Sequence, residues 1–555
     1  MHQRGAPVAL RRFLSKTLSD DDRLPERWPL SRGRGLSPEA EVRARLADEK
    51  GTIFREGGEA VALLYPSPYN TGMSSLGFQT IYRLLHERPG RVAHRAFLPD
   101  DVAAFSATRT PLFTYEAMRP IGDYRVIAIS VAYEPEIAGV IRALELAGIP
   151  PLARDRKDRH PFILAGGPLT FSNPLPLAPF VDAILMGEAE ETIHPAVDRI
   201  FAAGTRREAM ELIADDIESA FVPEIHGAEM PPVEKADDAL LPAYSQIITP
   251  HTELREMFLI EPERGCHRGC AYCVMRRSTN NGMRKFPMER VLSLIPDEAK
   301  RVGLVGAATT DHPQIADIVE AIVDRGCEIG LSSLRADRLN DRFVAALRRG
   351  GQTVLTTASD GASQRLRDLI QRKNGIDVLI RAAELTKKHG FKRMKLYMMI
   401  GLPTETEEDI EELIEFSLQL GAIAPLSLGI APFVAKRNTP LDGTEFAGIA
   451  PVERRMRMLR RGLRGKVELR SISARWSFIE YQIAQGGVAE GLAIFEAVKN
   501  GGSFRDYFEA FEALPEEKRR RREIVRPDDR LGRAKPKPRS AVSERAGGER
   551  ALRVL

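Results

Sequence analysis

Twice along this chain, short apolar runs alternate with stretches of helical period, and that repetition restricts the fold more than any other feature. In the first series Ala60–Tyr65, Val92–Leu98, Val126–Val131, Phe162–Ala165 and Ala183–Met186 read as strands. Val126–Val131 is rich in β-branched residues, as a strand covered on both faces should be. Ser75–Glu87 carries Leu76, Ile81, Leu84 and Leu85 at helical spacing, and Pro135–Ala147 reads as a second helix. Strands that alternate with helices pair in parallel, which predicts a doubly wound, Rossmann-like α/β domain over 58–205. Residues 1–57 have weak periodicity and many charges and are expected to form an arm.

A second series starts at Met257. Its strands are expected at Met257–Glu261, Val302–Val305, Glu328–Ser333, Thr353–Thr357, Met394–Ile400 and Leu426–Ile430. Helical candidates between them are Met288–Arg301, Pro313–Arg325, Asp341–Arg349, Gly375–His389 and Glu405–Gln419. These β/α units are fewer than the eight of a closed barrel, so a partial (β/α)6 barrel over 251–445 is predicted, with its chemistry at the carboxyl ends of the strands. The stretch 206–250, Pro-rich and acidic from 222 onward, reads as a linker. A helical region is expected over 446–515, where Val452, Met456, Leu459 and Leu463 make an apolar stripe.

With 555 residues the chain exceeds one ordinary core. Hydrophobic content of 43% and charged content of 28% fit a globular protein. No stretch reaches the roughly 18 apolar residues of a membrane span, so no membrane partner is expected. The formal net charge of +4 conceals a polar imbalance. Residues 518–555 hold 14 Lys/Arg against 5 Asp/Glu, so the tail 516–555 reads as basic and disordered.

The four cysteines do not make a disulfide framework, because three of them lie within eight residues. That grouping points to ligand chemistry in a reducing compartment, so a cytoplasmic location is expected. The segment is Gly265-Cys266-His267-Arg268-Gly269-Cys270-Ala271-Tyr272-Cys273, directly after the first strand of the second series. A compact loop can turn three thiolates toward one iron–sulfur cube, with Gly265 and Gly269 letting the backbone curl closely. A cube needs four ligands, and the loop supplies three. The alternative is zinc, with His267 or Cys327 as the fourth ligand, although Cys327 at a strand entrance reads as a core thiol.

C-x3-C-x2-C with an aromatic before the last cysteine resembles the motif of the radical S-adenosylmethionine (SAM) superfamily. The resemblance covers about 255–435. It implies a [4Fe–4S] cluster on Cys266, Cys270 and Cys273, with SAM chelating the open iron and Tyr272 near the adenine. It implies an enzyme that cleaves SAM reductively to a 5′-deoxyadenosyl radical, fed by an electron donor such as flavodoxin or ferredoxin. Further SAM contacts are implied at later strand ends: Gly306 and Ala307, Ser333 and Arg335, Asp360, and Gly401 and Pro403 within Gly401-Leu402-Pro403-Thr404-Glu405-Thr406. The acidic residue that the family carries near Gly306 is absent, and Asp360 is a shorter substitute for the family's glutamate.

The first domain resembles the cobalamin-type domain that precedes many radical SAM domains, in an uncharacterised subfamily. Its turns at Tyr65–Gly77, Ala165–Pro168 and Gly187–Glu191 carry that resemblance, although the Asp-x-His-x-x-Gly cobalt-ligand motif is missing. A cobalamin-dependent methyl transfer to an unknown substrate is one implied activity. Methylthiotransfer to tRNA would need about three more cysteines, and only Cys327 remains. The alternative is a non-catalytic RNA- or cofactor-binding protein, suggested by the basic tail and by Arg454, Arg455, Arg457, Arg460, Arg461 and Arg464. No general base and no substrate can be read from the sequence.

Overall fold

A computed structural model describes residues 37–275, 282–331 and 333–515. Residues 1–36 of the predicted arm 1–57, residues 276–281, Ser332 and the tail 516–555 lie outside the described residues. The first sheet contains β1 (Glu59–Pro68), β2 (Arg91–Leu98), β3 (Val126–Ser130), β4 (Phe162–Gly166), β5 (Ala183–Leu185) and β6 (Ala220–Phe221). Its spatial order is β2-β1-β3-β4-β5-β6. The first five strands are parallel, and Ile184 and Leu185 of β5 pair antiparallel with β6. Because the chain runs outward in both directions from β1 and β3, the loops after these strands diverge at a topological switch point.

The sheet continues into the stretch expected to be linker. A helix at Arg206–Asp216 leads into β6, so the domain's secondary structure does not stop at 205. The two-residue β6 is too short for alternation to reveal it. Part of the expected arm is also built into this domain. A helix at Pro38–Ala47 is capped by Ser37, and Glu49 reaches the fully buried Arg95 of β2.

The C-terminal helices Ala474–Ala484, Val488–Lys499 and Phe504–Glu512 return to the first domain. Ile479, Ile494, Tyr507 and Phe511 belong to the same apolar core as β1 and β3. Gly491 permits this return, since a Cβ there would sit 2.3 Å from the Pro176 carbonyl oxygen.

The second unit begins with β7 (Met257–Ile260), followed by the hairpin β8 (Glu263–Gly265) and β9 (Met283–Lys285). Next come β10 (Arg301–Leu304), β11 (Glu328–Leu331), β12 (Val354–Asp360), β13 (Arg393–Ile400), β14 (Leu426–Pro432) and β15 (Glu468–Ser471). The parallel orders β11-β10-β7 and β12-β13-β14-β15 are joined by a Leu334–Thr357 bridge, giving an open barrel. The barrel has one strand more than the predicted six, because β15 extends the edge beside β14. Glu468-Leu469-Arg470-Ser471 is polar and mostly exposed, so no apolar pattern marked it within the expected helical region. Among the described residues, no helix is long and apolar enough to cross a membrane.

Candidate active site

The carboxyl ends of the barrel strands face one rim, where parallel β/α barrels assemble their chemistry. The hairpin β8–β9 places Cys266 immediately after Gly265, whose φ of 94° is open to glycine at little cost. The Arg268 N–H donates to Cys266 Sγ at 3.4 Å, and Cys270 is buried. Cys270 lies close enough to Cys266 and Cys273 to influence both electrostatically. Burial raises the Cys266 thiol and pushes Cys273 up to about 11. Both are therefore protonated at neutral pH unless a metal replaces the proton.

Among the described residues, no three His, Cys, Asp or Glu side chains gather closely enough to hold a single ion. The three thiols follow one another around a single turn after the β8 strand. His267 points its ring toward Asp311, 3.9 Å from its carboxylate. Cys327 is buried in the barrel core and donates to the Ala299 carbonyl oxygen at 3.1 Å.

Two charged networks brace the loop. On one side Arg268 donates to both Asp311 oxygens at 2.9 and 2.7 Å, and Arg338 reaches the same carboxylate at 2.9 Å. Burial alone would raise the Asp311 carboxyl, but Arg268 outweighs it and holds it below the usual range. On the other side the Tyr272 hydroxyl donates to Asp360 Oδ2 at 2.7 Å, and Arg372 Nε pairs with that oxygen at 2.7 Å. Burial, reinforced by Asp360, keeps the Tyr272 phenol protonated.

The structure brings the sequence-derived candidates together unevenly. Tyr272 and Asp360 touch. Asp360 has both neighbours described above, so its carboxylate is engaged within the protein. Arg335 is buried beside Asp337 at 3.1 Å and 4.0 Å from Asp311, so its charge is also partnered. Ala307 and Ser333 are exposed on the rim. Gly401 lies under the helix Ile449–Leu463, where a Cβ would meet Ala447 at 3.2 Å and Val452 at 3.4 Å. Pro403 follows it in the same turn and is half-buried.

Glu263 escaped the sequence reading, although an acidic residue in a strand three places before Cys266 was a signal. Its fully buried Oε1 accepts from the Ala308 N–H at 2.8 Å, while its buried Oε2 has no partner. Gly306 makes room for this carboxyl, since a Cβ there would stand 2.1 Å from Oε1. A carboxyl group thus occupies the turn from which the sequence lacks one. Burial pushes it up to about 7.

Glu405 shows the same effect in the Gly401 turn. It accepts from the Gly401 N–H at 2.7 Å and faces Arg455 at 3.1 Å, yet burial still pushes its carboxyl up to about 7 from 4.5. Between those values the folded chain holds a proton that the unfolded chain has released. This contribution to stability is present below pH 4.5 and is lost as pH rises through 7. The difference is on the order of 3 kcal/mol. Urea midpoints of wild type and Glu405→Gln should therefore converge at low pH, with the wild type falling relatively by pH 8. Parallel midpoints at both pH values would refute this titration. The neighbouring arginines are similarly engaged, with Arg454 pairing Glu407 at 2.7 Å and Arg457 pairing Glu453 at 3.9 Å.

The first domain's glycine turns were the basis for expecting a flat cofactor. Gly167 has a φ of 107°, and its Cβ position is blocked by the Val131 carbonyl oxygen at 2.7 Å. At Gly187 the obstruction is the Glu234 backbone at 2.5 Å, and at Gly72 it is the Phe97 ring at 2.5 Å. These three glycines admit the chain's own atoms, whereas Gly77 in the first turn has nothing within 4 Å of its Cβ position. The acidic turn after Gly187 is also committed. Glu188 pairs with Arg284, and Glu190 accepts from Arg264 at 2.6 Å. The turn therefore grips the β8–β9 hairpin that leads into the cysteine loop.

Residues 77–223 match the family model described as radical SAM proteins, N-terminal, and 260–417 match the radical SAM superfamily model. An uncharacterized protein of Methanocaldococcus jannaschii is 26% identical over 70% of this chain and 80% of its own length. An uncharacterized methyltransferase of Pyrococcus horikoshii is 24% identical over 52% of this chain and 65% of its own. The 2-(S-pantetheinyl)-carbapenam-3-carboxylate methyltransferase of Streptantibioticus cattleyicolor is 25% identical over 52% and 46%, respectively. The solved cobalamin-dependent S-adenosylmethionine radical enzyme OxsB matches 65% of this chain and 52% of its own, with 14% identity and a TM-score of 0.45. The chain thus spans about half the length of that solved structure.

Proposed function

The chain belongs to the radical SAM superfamily, whose cofactors are a [4Fe–4S] cluster and SAM, and we propose that it binds both at the barrel rim and cleaves SAM reductively. The observation that carries this reading is the grouping of Cys266, Cys270 and Cys273 on one braced loop at the strand ends. When bound, the cluster and SAM supply a single-electron cleavage that yields methionine and a 5′-deoxyadenosyl radical, which abstracts hydrogen from a substrate.

The protein's own contribution is to hold the donors and control their surroundings. Three thiolates are the iron ligands and leave one corner for SAM. Glu263 offers a buried acceptor with no protein partner, suited to an ammonium group once ionised. Tyr272, tied to Asp360, fixes one side of the loop. Reducing equivalents would come from a one-electron donor such as flavodoxin or ferredoxin. The names of the methyltransferase relatives support a methyl group as the moiety transferred.

Anaerobic reconstitution with iron, sulfide and SAM, followed by reduction with dithionite, tests the reading. Equal amounts of 5′-deoxyadenosine and methionine are expected. An iron-loaded protein that leaves SAM intact would overturn the proposed activity.

A further inference from the structure

Arg372 has no place in the reading drawn from the sequence, yet its guanidinium is aimed at the cysteine loop. It follows the short helix Gln364–Leu369 after β12. Its Nε lies 2.7 Å from Asp360 Oδ2, its Nη2 donates to the Ala358 carbonyl oxygen at 3.3 Å, and its Nη1 lies 3.9 Å from Cys270 Sγ. The side chain is only 11% exposed and Asp360 only 14%, so solvent screening is weak.

The backbone around Arg372 is placed as tightly as its side chain. Gln371 and Lys373 on either side have φ of 57° and 49°, and Asp360 has 64°. Left-handed conformations are unfavourable for non-glycine residues and persist where the surroundings over-determine them. Here the determinants are main-chain bonds. Ala271 N–H donates to the Ile370 carbonyl oxygen at 2.9 Å, and Arg372 N–H donates to that of Arg367 at 2.8 Å. The first bond ties the arginine turn directly to the cysteine loop.

We propose that Arg372 and Asp360 are positioning residues of opposite charge that set the reduction potential of the cluster held by Cys270. The inference rests on the cluster reading above. A one-electron reduction makes the cluster more negative, so a cation near a ligating sulfur favours the reduced state and an anion disfavours it. Arg372 therefore raises the potential, Asp360 lowers it, and their contact holds the balance. The Tyr272 hydroxyl supplies Asp360 with a neutral donor and changes no net charge.

The full-length protein, reconstituted anaerobically with iron and sulfide, should be titrated by EPR-monitored reduction without SAM. At matched iron content, Arg372→Gln should shift the midpoint to more negative values and Asp360→Asn to more positive ones. The double variant should return toward wild type, and Tyr272→Phe should stay near it. Unchanged midpoints in both single variants, or shifts of the same sign, would overturn the proposal while leaving the cluster assignment standing. If Arg372→Gln loads no iron, Arg372→Lys and Asp360→Asn carry the test. The lysine variant should then match wild type and the asparagine variant should rise, whereas no rise refutes the proposal. A wild-type chain that binds no cluster defeats both readings.

Discussion

Cys270→Ala should lose its iron–sulfur cluster on anaerobic reconstitution, and formation of 5′-deoxyadenosine should fall to background. Cys270 is 7% exposed, and its loop is held independently by the Ala271–Ile370 main-chain bond at 2.9 Å. Alanine removes the sulfur without removing that bond, so the expected effect comes from ligand loss. Iron and sulfide content together with product yield read both parts of the prediction. Cys327→Ala is the matched control because its sulfur is spent on the Ala299 carbonyl oxygen. It should keep cluster and activity and cost about 1 kcal/mol of stability. Full activity in Cys270→Ala, or equal losses in the two variants, would contradict the assignment.

The largest expected stability effect lies in the first domain, at Arg95. Its Nη1 and Nη2 donate to Glu49 at 2.9 and 2.7 Å, and its Nε donates to Glu116 at 2.6 Å. The Arg95 and Glu49 side chains are 0% exposed and that of Glu116 is 2% exposed. Burial works against ionisation of Glu49, but Arg95 overcomes it and holds this carboxyl below its usual range. Arg95→Ala would leave two buried carboxylates without their cation, and breaking such a pair costs about 3–5 kcal/mol. A marked drop in the thermal midpoint is expected at pH 7. Adding Glu49→Gln and Glu116→Gln should recover part of it, because the stranded charges are then gone. A midpoint within about 1 °C of wild type for Arg95→Ala would contradict the burial argument.

The parts of this fold that were legible in advance share a physical basis. β3 and β13 are long enough for their apolar content to stand out, and the helix Ile449–Leu463 buries the residues of its predicted stripe. β6 and β15 were not legible, one because it has two residues and the other because it is a polar edge. The pairing of Glu263 with Gly306 was hidden differently. Both residues were visible, but nothing local says that a glycine after β10 makes room for a glutamate of β8. Gly187 taught the converse lesson. Its positive φ was a sound reason for glycine, but the close neighbour is Glu234 of the same chain.

Local periodicity and spacing alone determined the two α/β series, the thiol-bearing loop and its position after the first barrel strand. These signals act over a few residues, through backbone preference and the alternation of buried and exposed faces. Tertiary structure decided which charges meet. It set Arg372 beside Cys270, matched Glu190 to Arg264, and brought the last helices onto the first core. Such contacts join residues tens to hundreds of positions apart. Their energies depend on burial and on the partners present, and neither exists until the chain has closed on itself.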